Sequence, residues 1–241
     1  MLKKLWTLIL NTILPPRCSL CGQLTQSSQS LCADCFAELD FITPPLCQTC
    51  GLPLPPLVHG DLKCVRCLSQ KSYFDTARAC VLYNDISKKL IQNFKYYDHT
   101  ELADILASLM ARISDIDYKM FDLIIPIPIH TEKLKSRKYN QAALLAQKMG
   151  NILNLPVQLN LLVKITSTPA QAGLSFVQRQ KNIKNSFNLN PKAATKLKGK
   201  NILLIDDVIT TTATINEASR ILKKHKARQV VAITFAHTHL Q

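Results

Sequence analysis

Ile202-Leu203-Leu204-Ile205-Asp206-Asp207-Val208-Ile209-Thr210-Thr211-Thr212-Ala213-Thr214-Ile215 joins an apolar run, two adjacent carboxylates and a hydroxyl-rich turn. The consecutive aliphatic residues Ile202 to Ile205 suit a parallel strand buried on both faces, where neither face offers water to a polar side chain. Asp206 and Asp207 stand at its carboxyl end, the edge where open α/β sheets bind ligands. From Thr210 to Thr214 the chain turns into a helix whose first N–H groups lack intrahelical partners and whose dipole is positive at that end. A phosphate fits such a turn.

Strand and helix patterns alternate on either side of this segment. Ala79 to Tyr83 reads as a strand, and Leu102, Ile105, Leu106, Leu109, Met110 and Ile113 recur at helical spacing with Thr100 as N-cap. A second buried strand, Phe121 to Ile125, runs into Pro126-Ile127-Pro128-Ile129-His130. A helix from Asn140 to about Met149, an apolar run from Val157 to Val163 and a last strand, Val230 to Phe235, complete the set. Strands separated by helices predict an α/β fold with a doubly wound, mostly parallel sheet over residues 71–241. Pro126 and Pro128 allow only an extended exit from the sheet. That exit delivers His130, Lys133, Lys135, Arg137 and Lys138 near the edge that carries Asp206.

The first seventy residues are of another kind. Four Cys-x-x-Cys pairs occur: Cys18/Cys21, Cys32/Cys35, Cys47/Cys50 and Cys64/Cys67. The two-residue spacing lets both sulfurs of a pair face one ion, and Gly22 and Gly51 follow their pairs where a knuckle turn favours a residue without Cβ. Two four-thiolate zinc sites in a double zinc ribbon over residues 15–70 are expected. The simplest grouping is sequential, although an interleaved one satisfies the same spacing. A secreted disulfide scaffold does not account for the repeated spacing beside a large domain, and a redox pair needs one motif opening a helix. Cys80, inside an apolar run, reads as a buried structural thiol; His59 reads as a loop residue.

At the amino terminus Leu5, Leu8, Ile9 and Ile13 form a helical stripe, predicting an amphipathic helix over residues 1–14. Asn11 and Thr12 interrupt the apolar stretch and no small-residue cleavage site follows, unlike a signal peptide. No stretch has transmembrane length, and thiolate zinc sites suit the cytoplasm. The formal charge is +14, and from Lys133 to Asn201 thirteen Lys and Arg occur without one Asp or Glu. Such a segment predicts a basic face for a polyanion, bound through its phosphates. No aromatic strip accompanies the charge, so base stacking has no direct support.

The strand, paired acids and Thr-rich turn of residues 202–214 resemble the phosphoribosyl pyrophosphate (PRPP) motif of type I phosphoribosyltransferases. The resemblance implies that Asp206 and Asp207 address the ribose hydroxyls and that Thr210, Thr211, Thr212, Ala213 and Thr214 hold the 5′-phosphate, with magnesium accompanying PRPP. Thr212 stands where that family usually has glycine. Pro126 to His130, continuing to Asn140-Gln141-Ala142, is similar to the Pro-x-Pro-x-His…Arg-Gly-Phe-Asn-Gln-Ala stretch of the ComF/GntX family, with Lys138 and Tyr139 in place of Gly-Phe. Thr168 and Gln171, then Arg179 and Asn182, then Ser186-Phe187 match a third stretch of that family.

Membership would imply a type I phosphoribosyltransferase-like domain behind a double zinc ribbon. Pro128, Ile129, His130 and Arg137 would border PRPP. Arg179 would act in catalysis from a hood over the pyrophosphate, with Lys181 and Lys184 adding charge. Lys133, Lys135, Lys138, Lys181 and Lys184 would meet single-stranded DNA during natural transformation, alongside proteins of the uptake machinery. Three functions follow: an Mg-PRPP-dependent transferase, a DNA-associated competence factor using the site without turnover, and a zinc-ribbon adaptor.

Overall fold

The computed structural model describes residues 15–27, 30–56, 62–96, 99–166 and 182–238. The helix expected over residues 1–14, His59, Arg179 and Lys181 lie outside them. In chain order the strands are β1 (Thr76–Leu82), β2 (Leu123–Pro126), β3 (Leu162–Lys164), β4 (Phe187–Leu189), β5 (Asn201–Ile209) and β6 (Gln229–His237). The helices are α1 (Ala33–Ala37), α2 (Val65–Ser69), α3 (Asp85–Tyr96), α4 (Leu102–Met110), α5 (Thr131–Arg137), α6 (Gln141–Leu153) and α7 (Ala213–Lys224).

β5 takes the interior position that its composition requires. The sheet runs β1-β6-β5-β2 with every pair parallel, and Ile202, Leu203, Leu204 and Ile205 have no exposed surface. Alternation along the strands divides the core in two. Leu203, Ile205, Val231, Ile233 and Phe235 face a layer of α3, α4 and α6, including Leu90, Phe94, Leu106 and Met149. Ile202, Leu204, Val230 and Ala232 face α7 and the β3–β4 hairpin, including Leu222 and Phe187.

The sheet edge differs from the sequence expectation. Of the apolar run 157–163, only Val157 pairs with the main sheet, by a single parallel bridge to Ile124 in which Gln158 N donates to Ile124 O at 2.9 Å, while Leu162 onward pairs antiparallel with β4. Asn154 in the left-handed region ends α6, and the chain turns back before a full fifth strand forms. Glu101 rather than Thr100 caps α4, with Thr100 O accepting from Ala103 N at 3.0 Å inside the preceding turn.

The other edge, β1, is covered by the zinc ribbon. Phe41 bridges Val81 antiparallel, Ile42 N donates to Cys80 O at 3.0 Å, Leu82 N to Asp40 O at 2.8 Å and Ala77 N to Thr49 O at 2.7 Å. Edge groups that would otherwise offer a template for aggregation are thereby saturated. The ribbon also straddles the sheet: Cys18, Cys32 and Cys35 join one core layer and Cys47, Cys50 and Cys64 the other. Cys80 is buried in β1, and burial pushes its thiol up to about 12, as befits an inert packing residue.

Gly51 sets how closely the ribbon approaches. Its φ is +72°, and a Cβ there would lie 2.6 Å from Ala77 O and 3.3 Å from Arg78 Cα, whereas Gly22 (φ +77°) has open space around it. Both glycines avoid left-handed strain, but only Gly51 avoids a backbone overlap. Gly51→Ala is expected to cost about 2–4 kcal/mol, against about 1 kcal/mol for Gly22→Ala. Thermal midpoints of the two zinc-loaded variants measure the difference; equal midpoints would mean that the ribbon does not seat on β1 as described.

Candidate functional site

β5 does not stop before its acids. It carries them to Ile209, with Asp206 opposite Thr234 on β6. Consecutive strand residues point to opposite faces. Asp207 therefore follows Leu203 and Ile205 toward the α3 layer, and Asp206 follows Ile202 and Leu204 toward the hairpin layer. Each finds a lysine on its own side. Lys95 Nζ, in the last turn of α3, lies 2.6 Å from Asp207 Oδ2. Lys164, at the end of β3, is within electrostatic reach of Asp206 and lies 5.6 Å from the Phe187 ring centre.

These surroundings set the proton affinities. Burial, then the neighbouring Asp207 charge, pushes the Asp206 carboxyl up to about 7, although Asp207 N donates to it at 2.9 Å. Burial, then repulsion from Lys133, brings the Lys164 ammonium down to about 8. Burial would also lower Lys95, but the Asp207 carboxylate reverses this and holds it above the ordinary lysine range.

The turn after β5 begins at Thr210. Thr211 is buried, and Thr210, Thr212 and Thr214 are partly exposed. Thr212 adopts φ +59°, ψ −7°, with its hydroxyl donating to Thr211 O at 2.6 Å. A left-handed β-branched residue is strained by about 1–3 kcal/mol, which gives the glycine usual in phosphoribosyltransferases its physical reason. Lys138, the other glycine replacement, is also left-handed at φ +63°. No side chain caps α7, so the N–H groups of Ala213, Thr214 and Ile215 are left for an anion.

The proline turn reaches the same edge. Ile127 N donates to Ile205 O at 2.8 Å, after which Pro128, Ile129 and His130 leave the sheet half-buried beside the acids. His130 caps α5 through Nδ1, which accepts from Glu132 N at 3.4 Å. Arg137 lies over the Tyr96 ring at 5.2 Å, with Nη2 donating to the tyrosine hydroxyl at 3.2 Å and Nη1 to Gln141 Oε1 at 3.4 Å. Burial, then Arg137, lowers the Lys133 ammonium. Lys135 and Lys138 are exposed on and after α5; Lys184 is exposed beside Glu217 and Arg220 on the α7 side.

The acid-free segment does not form one face. Lys133 to Lys138 follow the carboxyl end of β2, whereas Lys200 precedes β5 and pairs with Asp122 at 2.8 Å at the opposite edge. The reason is topological: parallel strands start at the same edge, so the chain returns across the sheet before β5 begins.

Lys95, Tyr96 and Lys164 were not evident as site residues in the sequence. Ile86, Leu90, Ile91 and Phe94 carry the helical spacing that announces α3 and places Lys95 in its last turn. Lys164 has no comparable sequence signal.

The cysteines settle into two sequential groups, Cys18, Cys21, Cys32, Cys35 and Cys47, Cys50, Cys64, Cys67, each with its sulfurs within 4.8 Å of one another. All are free thiols. The Cys21–Cys32 and Cys50–Cys64 sulfur separations are both 3.6 Å, far from a disulfide and near the edge of about 3.8 Å for a tetrahedron with 2.3 Å zinc–sulfur bonds. Cys35 N and Cys64 N donate to thiol sulfurs at 3.4 and 3.3 Å, the outer bonds expected of a thiolate site. Two zinc ions fit.

Comparison with known proteins finds two domain families in the chain. Residues 9–68 match the double zinc ribbon domain and residues 139–239 the phosphoribosyl transferase domain. Competence protein F of Haemophilus influenzae is 32% identical over 86% of this chain and 91% of its own length. The DNA utilization protein YhgH of Salmonella typhimurium is 29% identical over 90% and 94%. Competence protein ComFC of Bacillus subtilis is 28% identical over 88% and 85%. Among the described residues no helix is long and apolar enough to cross a membrane.

The raised proton affinity of Asp206 has a sign that can be checked. Below about pH 4 the group is protonated folded or unfolded; between its ordinary value of 3.8 and about 7 only the unfolded chain ionises. Its contribution to stability therefore falls as pH rises through that window and levels above it. Asp206→Asn is expected to gain stability relative to the unmodified chain between pH 4.5 and pH 7.5, read from denaturation midpoints; a pH-independent difference would contradict the assignment.

Proposed function

The chain belongs to the competence protein F family, and from that footing we propose that it binds Mg-PRPP in a phosphoribosyltransferase-type site and works with single-stranded DNA during uptake. One observation carries the reading: the Asp206-Asp207 pair stands in the carboxyl-terminal part of β5, which ends at Ile209 and leads through the turn of residues 210–212 into the uncapped first turn of α7. Asp206 and Asp207 accept from the hydroxyls, and residues 210–214 donate backbone N–H groups to the phosphate. Pro128, Ile129, His130 and Arg137 border the pyrophosphate side, where Arg179 is assigned the hood position.

Lys95, Lys133, Lys164 and Arg137 offset charge that develops on departing pyrophosphate. Magnesium, arriving with PRPP, supplies Lewis-acid neutralisation of the same charge. Zinc in the two thiolate clusters is structural, since each has four protein ligands and no open position. Free thiols grouped as two zinc sites support a cytoplasmic location. A second reading, binding without turnover, is favoured by the close Lys95–Asp207 pair and by the Cβ at Thr212, both of which restrict the site.

Titration calorimetry with Mg-PRPP tests the site. Asp206→Asn/Asp207→Asn is expected to weaken binding at least tenfold while the chain stays folded; unchanged affinity would remove the acids from the site. Pyrophosphate release, measured with and without DNA, separates turnover from binding.

The DNA interface is assigned to Lys133, Lys135 and Lys138, on and after α5; Lys184 lies on the α7 side, beside Glu217 and Arg220. Phosphate contacts make log affinity fall linearly with log salt, by about 0.7 per contact on single strands. Charge reversal at Lys133, Lys135 and Lys138 is expected to weaken binding and flatten that slope accordingly. Binding that ignores salt, or a slope untouched by reversal, would leave these lysines without a role on DNA.

A further inference from the structure

The junction between the second zinc knuckle and the start of α7 holds an unsatisfied charge. α2 starts immediately after Cys64 and carries Arg66 beside Cys67. Arg66 shares a narrow crevice with Lys71, Ser72, Thr212, Ala213 and Asn216. Asn216 ties the two walls: its Oδ1 accepts from Tyr73 N at 2.6 Å and its Nδ2 donates to Lys71 O at 3.3 Å. All three guanidinium nitrogens of Arg66 are shut off from solvent without a hydrogen-bond partner.

A guanidinium stays charged at any pH at which the protein is folded. Burying one unpaired is strongly unfavourable. Arg78 and Arg220, by contrast, pair with Asp115 and Glu217. Among the described residues no carboxylate lines the Arg66 crevice. What stands opposite is the Thr212-Ala213 turn with its uncapped N–H groups. Cation and donors thus line one crevice, and both call for an anion.

We propose that Arg66 is a phosphate ligand supplied by the zinc ribbon, pairing with the PRPP 5′-phosphate at residues 210–214; this rests on the PRPP reading above. The crevice measures about 10 Å³, room for one water at most. The phosphate accordingly sits at the loop, and the fork turns out to meet it by a rotamer change. Bidentate pairing satisfies the buried donors and suits a phosphate better than a lysine would. Because Cys67 is the next residue, the second thiolate cluster fixes where Arg66 can reach, and the ribbon becomes part of the substrate site.

The test uses the full-length, zinc-loaded chain and its Arg66→Met and Arg66→Lys variants, with ribose 5-phosphate, PRPP and Mg-pyrophosphate as calorimetric probes. Arg66→Met is expected to bind ribose 5-phosphate and PRPP roughly ten- to a hundredfold more weakly and Mg-pyrophosphate equally well. It should retain both zinc ions and a ligand-free thermal midpoint no lower than the unmodified chain, because an unpaired cation has been removed; Arg66→Lys should recover part of the affinity. Unchanged ribose 5-phosphate and PRPP affinity in Arg66→Met would overturn the proposal and leave the PRPP reading intact. Lost zinc or a lowered ligand-free midpoint would overturn it by assigning Arg66 to the knuckle's own structure. If the unmodified chain binds neither PRPP nor ribose 5-phosphate, the PRPP reading fails and inorganic phosphate decides: a phosphate-induced rise in midpoint abolished by Arg66→Met keeps the anion site, and any other pattern removes it.

Discussion

Two adjacent carboxylates at the end of a strand buried on both faces constrain everything around them. Strand alternation sends Asp206 into one layer and Asp207 into the other, so Lys95 pairs directly with Asp207 alone, although its charge also acts on Asp206. Each layer must deliver its own cation to the carboxyl edge. The last turn of α3 brings Lys95 to Asp207, and the β3–β4 hairpin brings Lys164 toward Asp206. The two answers are unequal: the Lys95 pair is direct, whereas Asp206 remains a high-affinity proton site. An asymmetric pair of this kind, one acid committed and one near neutrality, is poised to respond to a ligand that brings hydroxyls and positive charge.

The ribbon belongs to the same arrangement. It closes the β1 edge by backbone hydrogen bonds and places one cysteine cluster in each core layer. The second knuckle then runs on through Lys71 to Tyr73 into contact with Asn216 on α7. Folding of the metal module and shaping of the turn at residues 210–214 are therefore coupled through one short stretch of chain, because metal binding to such a module is itself folding energy.

Much of this was legible in the sequence for identifiable reasons. Ile202 to Ile205 could only be an interior strand, and the four cysteine pairs could only be knuckles once their spacing repeated. The expected position of the Pro-His turn followed from two prolines that forbid a bend. Other features depend on tertiary context. The hydrophobic spacing of α3 was present, yet Lys95 acquires meaning only when strand alternation aims Asp207 at it. Positive φ at Thr212 and Lys138 is invisible in side chains that disguise a glycine position. The acid-free segment looked like one basic face because sequence distance hides the return of the chain to the opposite edge of a parallel sheet.

The central claim is that the acid pair is a ribosyl site held ready by its two layers. Carboxyl-carbon NMR of the Asp206 side chain, titrated with and without Mg-PRPP, tests it most directly. The account predicts a carboxyl that titrates near 7 in the free protein and is driven to its ionised form, with a lowered midpoint, when Mg-PRPP is bound. An Asp206 resonance that titrates in the ordinary range near 4 and is unmoved by Mg-PRPP would contradict it.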